Sequence, residues 1–87
     1  MEEDIRKLRL KIDTTDEQIL NALCDRVKVC EAIGAAKKAQ GLSVHDAKRE
    51  KQVYAQIKEK AAKLGLNPIQ VEAVYHEIVN MCSSVQE

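Results

Sequence analysis

Phenylalanine and tryptophan are absent, and tyrosine occurs only twice. Base stacking on aromatic side chains, a main device of single-stranded nucleic-acid binding, therefore has almost nothing to use. Neither charge is in excess: 14 basic and 14 acidic residues give a formal net charge of zero, whereas a nucleic-acid binder carries a basic surplus. No apolar run approaches the roughly 18 residues of a membrane-spanning helix. The charged stretch from Met1 to Lys11 lacks the apolar centre of a signal peptide. Cysteine is scarce and odd in number. Cys24, Cys30 and Cys82 form no CxxC pair, and only two histidines could assist them. A disulfide framework or a metal site is not expected, and three unpaired thiols suit a reducing compartment. The expectation is a cytoplasmic protein that engages neither membrane nor nucleic acid.

What remains is rich in charge and poor in chain breakers. Charged residues make up 32% of the 87, with one proline and three glycines. That composition suits long helices, and the length suits one domain over residues 1–87. A domain this small buries only about 60% of its unfolded surface, so a partner chain would help it. In the first half, Ile5, Leu8, Ile12, Thr15, Ile19, Leu23, Arg26, Cys30, Ile33 and Lys37 recur in steps of three and four, one face of a single helix. Gly34 is the only interior breaker and marks a close contact, while Gly41 stands where the helix should stop. A second helix begins at Asp46, a natural N-cap, with Glu50, Val53, Ile57, Ala61 and Leu64 on its stripe. Gly65 fits the position just past its end, with Leu66 folding back. Asn67-Pro68 opens a third helix, with Gln70 placed as in a capping box. Its stripe is Val71, Val74, Tyr75, Ile78 and Cys82. No strand pattern or repeat occurs.

The fold class is thus all-α, three helices with a long first one. Taken as Glu3 to Ala39, the first helix would run about 55 Å. The other two are each about half that length, so one copy cannot cover its apolar stripe. A second copy alongside can, which predicts an intertwined helical homodimer.

Two members of the long stripe are cations. Arg26 and Lys37 point within about 20° of each other, roughly 16 Å apart along the axis. Either they snorkel to water, or they converge on a small anion. Glu50 opens the second stripe beside Arg49, and Gln86 ends the third. An unpaired buried charge costs several kcal/mol, and Glu50 is the one plausible internal carboxylate, so the positive excess favours an anionic ligand. Arg9 lies about 25 Å from Arg26 and about 100° round the helix. It is either a solvated surface residue or a visitor to the partner chain's pocket.

These residues, in this order, resemble the all-helical chorismate mutases. The matching motifs are Leu8-Arg9-Leu10-Lys11-Ile12-Asp13, then Asp16 and Ile19-Leu20, Asp25-Arg26, Ile33-Gly34-Ala35-Ala36-Lys37, and Val44-His45-Asp46-Ala47-Lys48-Arg49-Glu50. The ordered set Arg9, Arg26, Lys37, Asp46, Arg49, Glu50 and Gln86 carries the likeness over nearly the whole chain. It implies a three-helix protomer in a dimer and the rearrangement of chorismate to prephenate, toward phenylalanine and tyrosine, with no cofactor and no metal.

The likeness also implies roles. Arg26 and the partner subunit's Arg9 would grip substrate carboxylates. Lys37 would reach a carboxylate and the ether oxygen, with Gln86 as second donor to that oxygen. Glu50 would accept from the ring hydroxyl, with the Asp46 backbone nearby and Arg49 in support. A plain helix cap serves equally well for Asp46. Cys82 stands where a small hydroxyl residue is usual, and a thiol is the weaker donor. Ser83 beside it is expected to turn about 100° away. Cys24 and Cys30 read as core or near-core thiols, His45 and His76 as surface residues. Three rivals share this scaffold: an isochorismate-pyruvate lyase, a non-catalytic regulatory or binding domain, and a purely structural helical dimer.

Overall fold

The computed structural model describes residues 1–87 and contains three helices and no strand. Helix α1 runs Glu2–Ala39, α2 runs Ala47–Lys63 and α3 runs Pro68–Gln86. Acidic Glu2, Glu3 and Asp4 at the start of α1, and Lys37 and Lys38 at its end, oppose its macrodipole with the favourable signs. No helix is long and apolar enough to cross a membrane.

The helix ends obey local chemistry. Gly41 and Gly65 are the only residues with positive φ, at 69° and 77°. Each closes a Schellman motif: Leu42 N–H donates to the Lys37 carbonyl at 2.8 Å, and Leu66 N–H to the Ala61 carbonyl at 2.9 Å. Asp46 caps α2 by accepting from Arg49 N–H at 3.0 Å. Asn67 caps α3, accepting from Ile69 and Gln70 N–H at 3.0 and 3.1 Å. Pro68 takes the first helical turn, where its missing N–H costs nothing.

Packing is uneven. Helix α3 packs on both α1 and α2, whereas α1 and α2 do not pack on each other. The molecule extends 59 × 24 × 15 Å with a radius of gyration of 16.6 Å, against about 12 Å for a compact chain of this length. Buried residues number five: Cys30, Gly34, Ala61, Val79 and Cys82. Every residue from Met1 to Ala22 is exposed. Ile5, Leu8, Ile12 and Ile19, on the expected core stripe, are each at least 50% exposed, because α3 covers only the C-terminal half of α1.

Three apolar assignments need correction. Leu64 is exposed because it is the C-cap residue of α2, beyond the last turn that packs. Val74 is exposed as well, since the packed path along α3 runs Val71, Tyr75, Ile78, Cys82 and passes it by. Cys24, read as a core or near-core thiol, is exposed on the outer side of α1.

Candidate active site

Because α1 and α2 do not touch, a gap remains between them, floored by α3. It forms a cavity of about 270 Å³. Its apolar walls are Val29 and Ile33 from α1, Val53 from α2 and Val79 from α3. Into it come seven of the eight residues singled out by sequence: Arg26, Lys37, Asp46, Arg49, Glu50, Cys82 and Gln86. The eighth, Arg9, is exposed far along α1, in a shallow surface groove with Glu2, Ile5, Arg6 and Leu10.

The two core cations are held differently. Arg26, half-buried, donates through one guanidinium nitrogen to Cys82 Sγ at 2.7 Å and lies 3.8 Å from Cys30 Sγ. Lys37 Nζ donates to the Val44 carbonyl at 3.0 Å. The turn at Gly41 makes this possible by bringing the chain back across the end of α1. Neither thiol nor carbonyl carries a formal negative charge. The ion pairs of the molecule are His45–Glu87, Lys58–Glu72, Lys63–Glu59 and His76–Glu72. Arg26, Lys37 and Arg49 enter none of them.

Gln86 reaches the cavity because α1 carries no side chain at position 34. A Cβ built on Gly34 would lie 2.8 Å from Gln86 Cα and 3.0 Å from both its Cβ and Cγ, closer than real contacts allow. The close contact expected of Gly34 is therefore with this residue. The end of α3 is tied down further: Lys38 Nζ donates to the Glu87 carbonyl at 2.9 Å, and His45 Nε2 lies 3.7 Å from the Glu87 carboxylate.

Two groups near the cavity have shifted ionisation. Burial pushes the Cys30 thiol up, and the neighbouring Cys82 adds to this against the opposing pull of Arg26 and Gln86. Burial, then the Glu50 and Glu72 carboxylates, push the Tyr54 phenol up. Outside the cavity, Tyr54 lies against the His76 ring with centroids 4.2 Å apart. Glu72 there is held below the usual carboxylate range, chiefly by its hydrogen bond from Lys58 at 2.8 Å.

The profile of a family described as chorismate mutase type II matches residues 8–87. The chain belongs to the chorismate mutase type II family. Among curated relatives, it is 32% identical to a bifunctional chorismate mutase/prephenate dehydratase of Aquifex aeolicus over 98% of this chain and 24% of that protein. It is 28% identical to the T-protein of Enterobacter agglomerans over 87% of this chain and 20% of that one. A chorismate mutase of Methanocaldococcus jannaschii is 31% identical over 67% of this chain and 59% of its own length. The chain thus spans less than two thirds of each of these relatives. Among solved structures, a conserved hypothetical protein from Pyrococcus furiosus superposes with a TM-score of 0.74 at 28% identity, covering 95% of both chains.

Against this family background, three features of the cavity escaped sequence reasoning. Ser83, expected to turn away, is half-buried and also lines the cavity. Its offset from Cys82 alone hid this, but Ser83 stands four residues after Val79 and three before Gln86, on the same face of α3 as both. The Val44 carbonyl, partner of Lys37, had no sequence signal, since every residue has a carbonyl. Val29 did have one: it falls between Arg26 and Ile33 on the same face of α1.

Proposed function

We propose that this chain is a chorismate mutase acting as an intertwined homodimer, converting chorismate to prephenate by a Claisen rearrangement within one molecule. One observation carries the reading: three cations line the cavity and none is paired with a carboxylate of the chain. A half-buried guanidinium whose acceptors are two thiols retains donors for a carboxylate, which it can bind through two parallel bonds. A small dianion suits that arrangement.

The reaction asks two things of a protein. A flexible dianion must be held in its folded, reactive conformer, an orientation effect. Arg26 and the partner subunit's Arg9 do this by clamping the carboxylates, with Arg49 in support. Negative charge then builds on the ether oxygen as its bond to carbon breaks. Lys37 and Gln86 donate to that oxygen, a type of contact worth about 3–4 kcal/mol where a preorganised donor meets a developing oxyanion. Glu50 accepts from the ring hydroxyl, and Asp46 holds the start of α2 in place as its cap. Bonds form and break within the substrate, so no cofactor enters.

The homodimer reading rests on the exposed stripe of α1 and on the elongated shape. A monomer with that stripe open to water would be prone to aggregate. A second α1 alongside buries it and brings the partner's Arg9 within reach of the cavity. Three free cysteines accord with the reducing cytoplasm.

The test is the loss of chorismate absorbance with purified protein and identification of the product. Prephenate formed at an enzymic rate supports the reading. Pyruvate from isochorismate would assign the lyase instead. No turnover by a folded, dimeric protein would overturn the reading in favour of a binding domain.

A further inference from the structure

Cys30 and Cys82 are both buried, one on α1 and one on α3, and both line the cavity. A single nitrogen of Arg26 reaches the two sulfurs, at 3.8 and 2.7 Å. Neutral thiols are weak acceptors for a guanidinium, whereas a thiolate beside an arginine is stabilised and reactive. Cys24 has no such setting. It lies exposed in a shallow groove with Leu20, Val27 and Met81. Two thiols that share one cation, at the floor of an open cavity, have what thiol–disulfide exchange needs: an attacking sulfur, a second sulfur within reach, and a route in.

We propose that Cys82 and Cys30 form a thiol-modification site that takes small disulfides through the substrate cavity and closes into a reversible Cys30–Cys82 bond between α1 and α3. Cys82, whose sulfur is hydrogen-bonded to Arg26, reacts first. It gives its proton to solvent and attacks one sulfur of the incoming disulfide, whose S–S bond breaks and whose other half leaves as a thiolate. Cys30 then gives up its proton and attacks Cys82 Sγ. The mixed disulfide breaks, the second thiolate leaves, and the two released thiolates take up two protons. The two cysteines are oxidised by two electrons and the small disulfide is reduced to two thiols. The order follows from the surroundings: the Arg26 nitrogen lies 2.7 Å from Cys82 Sγ but 3.8 Å from Cys30 Sγ, and burial pushes the Cys30 thiol up.

Closure would pin the α1 wall of the cavity to its α3 floor and shift both sulfurs that Arg26 now faces. A mixed disulfide on Cys82 would fill much of a cavity of about 270 Å³. The covalent chemistry is independent of the reaction the protein catalyses; only the accompanying loss of turnover rests on the mutase reading.

The test treats the reduced full chain with oxidised glutathione and follows intact mass, a non-reducing peptide map and chorismate turnover. The expected product is two hydrogens lighter, maps to Cys30–Cys82, turns over at least tenfold more slowly, and returns to full rate with dithiothreitol. Cys24→Ser is expected to behave as the wild type. Cys30→Ser is expected to stop at a lasting glutathione adduct on Cys82. Modification confined to Cys24 would overturn the proposal, as would an adduct that stays on Cys82 of the wild type with Cys30 free. The mass readout stands even if chorismate proves not to be the substrate.

Discussion

Gly34 and Gln86 meet where α1 and α3 cross, so closely that a Cβ on Gly34 would lie 2.8 Å from Gln86 Cα. The neighbour it would strike is backbone, so no side-chain rotation relieves the clash. Gly34→Ala should therefore push the end of α3 outward, although alanine is the better helix former by about 1 kcal/mol. We expect kcat to fall about a hundredfold, the cost of a misplacement near 1 Å, with a smaller change in KM and unchanged helical circular dichroism. An unaltered kcat would remove Gly34 from the positioning of Gln86.

Lys37→Ala removes a donor whose only acceptor in the chain is the Val44 carbonyl. Turnover should fall by a factor of about 10²–10³, typical of losing one preorganised donor. The proposed dimer should persist in sedimentation, since Lys37 lies at the C-terminal end of α1, far from the exposed Ile5, Leu8, Ile12 and Ile19.

Arg9 and Arg26 lie about 25 Å apart on one rigid helix, so they can share a site only across two chains. Arg9→Ala and Arg26→Ala proteins, each inactive alone, should regain activity when mixed and refolded. A mixed dimer holds one site with both defects and one with neither. Failure of activity to return, with mixed dimers demonstrated by mass, would place Arg9 outside the site.

Glu72 on α3 bonds Lys58 on α2 at 2.8 Å, and this bond holds its carboxyl below the ordinary range. A depressed folded-state pKa contributes stability above the unfolded pKa, and that contribution is lost as pH falls through the folded value. The melting temperature of Glu72→Gln should therefore lie below wild type at neutral pH. The difference should shrink as the pH drops beneath the usual glutamate range. A difference that stayed constant down to strong acid would show that the pair does not act through its charge.

Local chemistry made much of this molecule legible in advance. The Asp46 and Asn67 caps, the stops at Gly41 and Gly65, and the uninterrupted α1 follow from contacts within a few residues along the chain. Periodicity also placed Arg26, Lys37 and Cys82 inward, because on a helix spacing is direction. It failed at Leu64 and Val74, which share the apolar character of their neighbours but have no element packed over them, and residue type alone failed at Cys24, which lies off the stripe of α1 and is exposed.

The sequence by itself determined three helices, their ends, and a positive excess on inward-facing stripes, since each depends on backbone hydrogen bonding and helical angle. Only the tertiary structure decided that α3 packs on both other helices while α1 and α2 stay apart, which is what opens the cavity. It alone set Cys82 of α3 against Arg26 of α1, 56 positions away along the chain, for helical spacing says nothing about which helix another will meet.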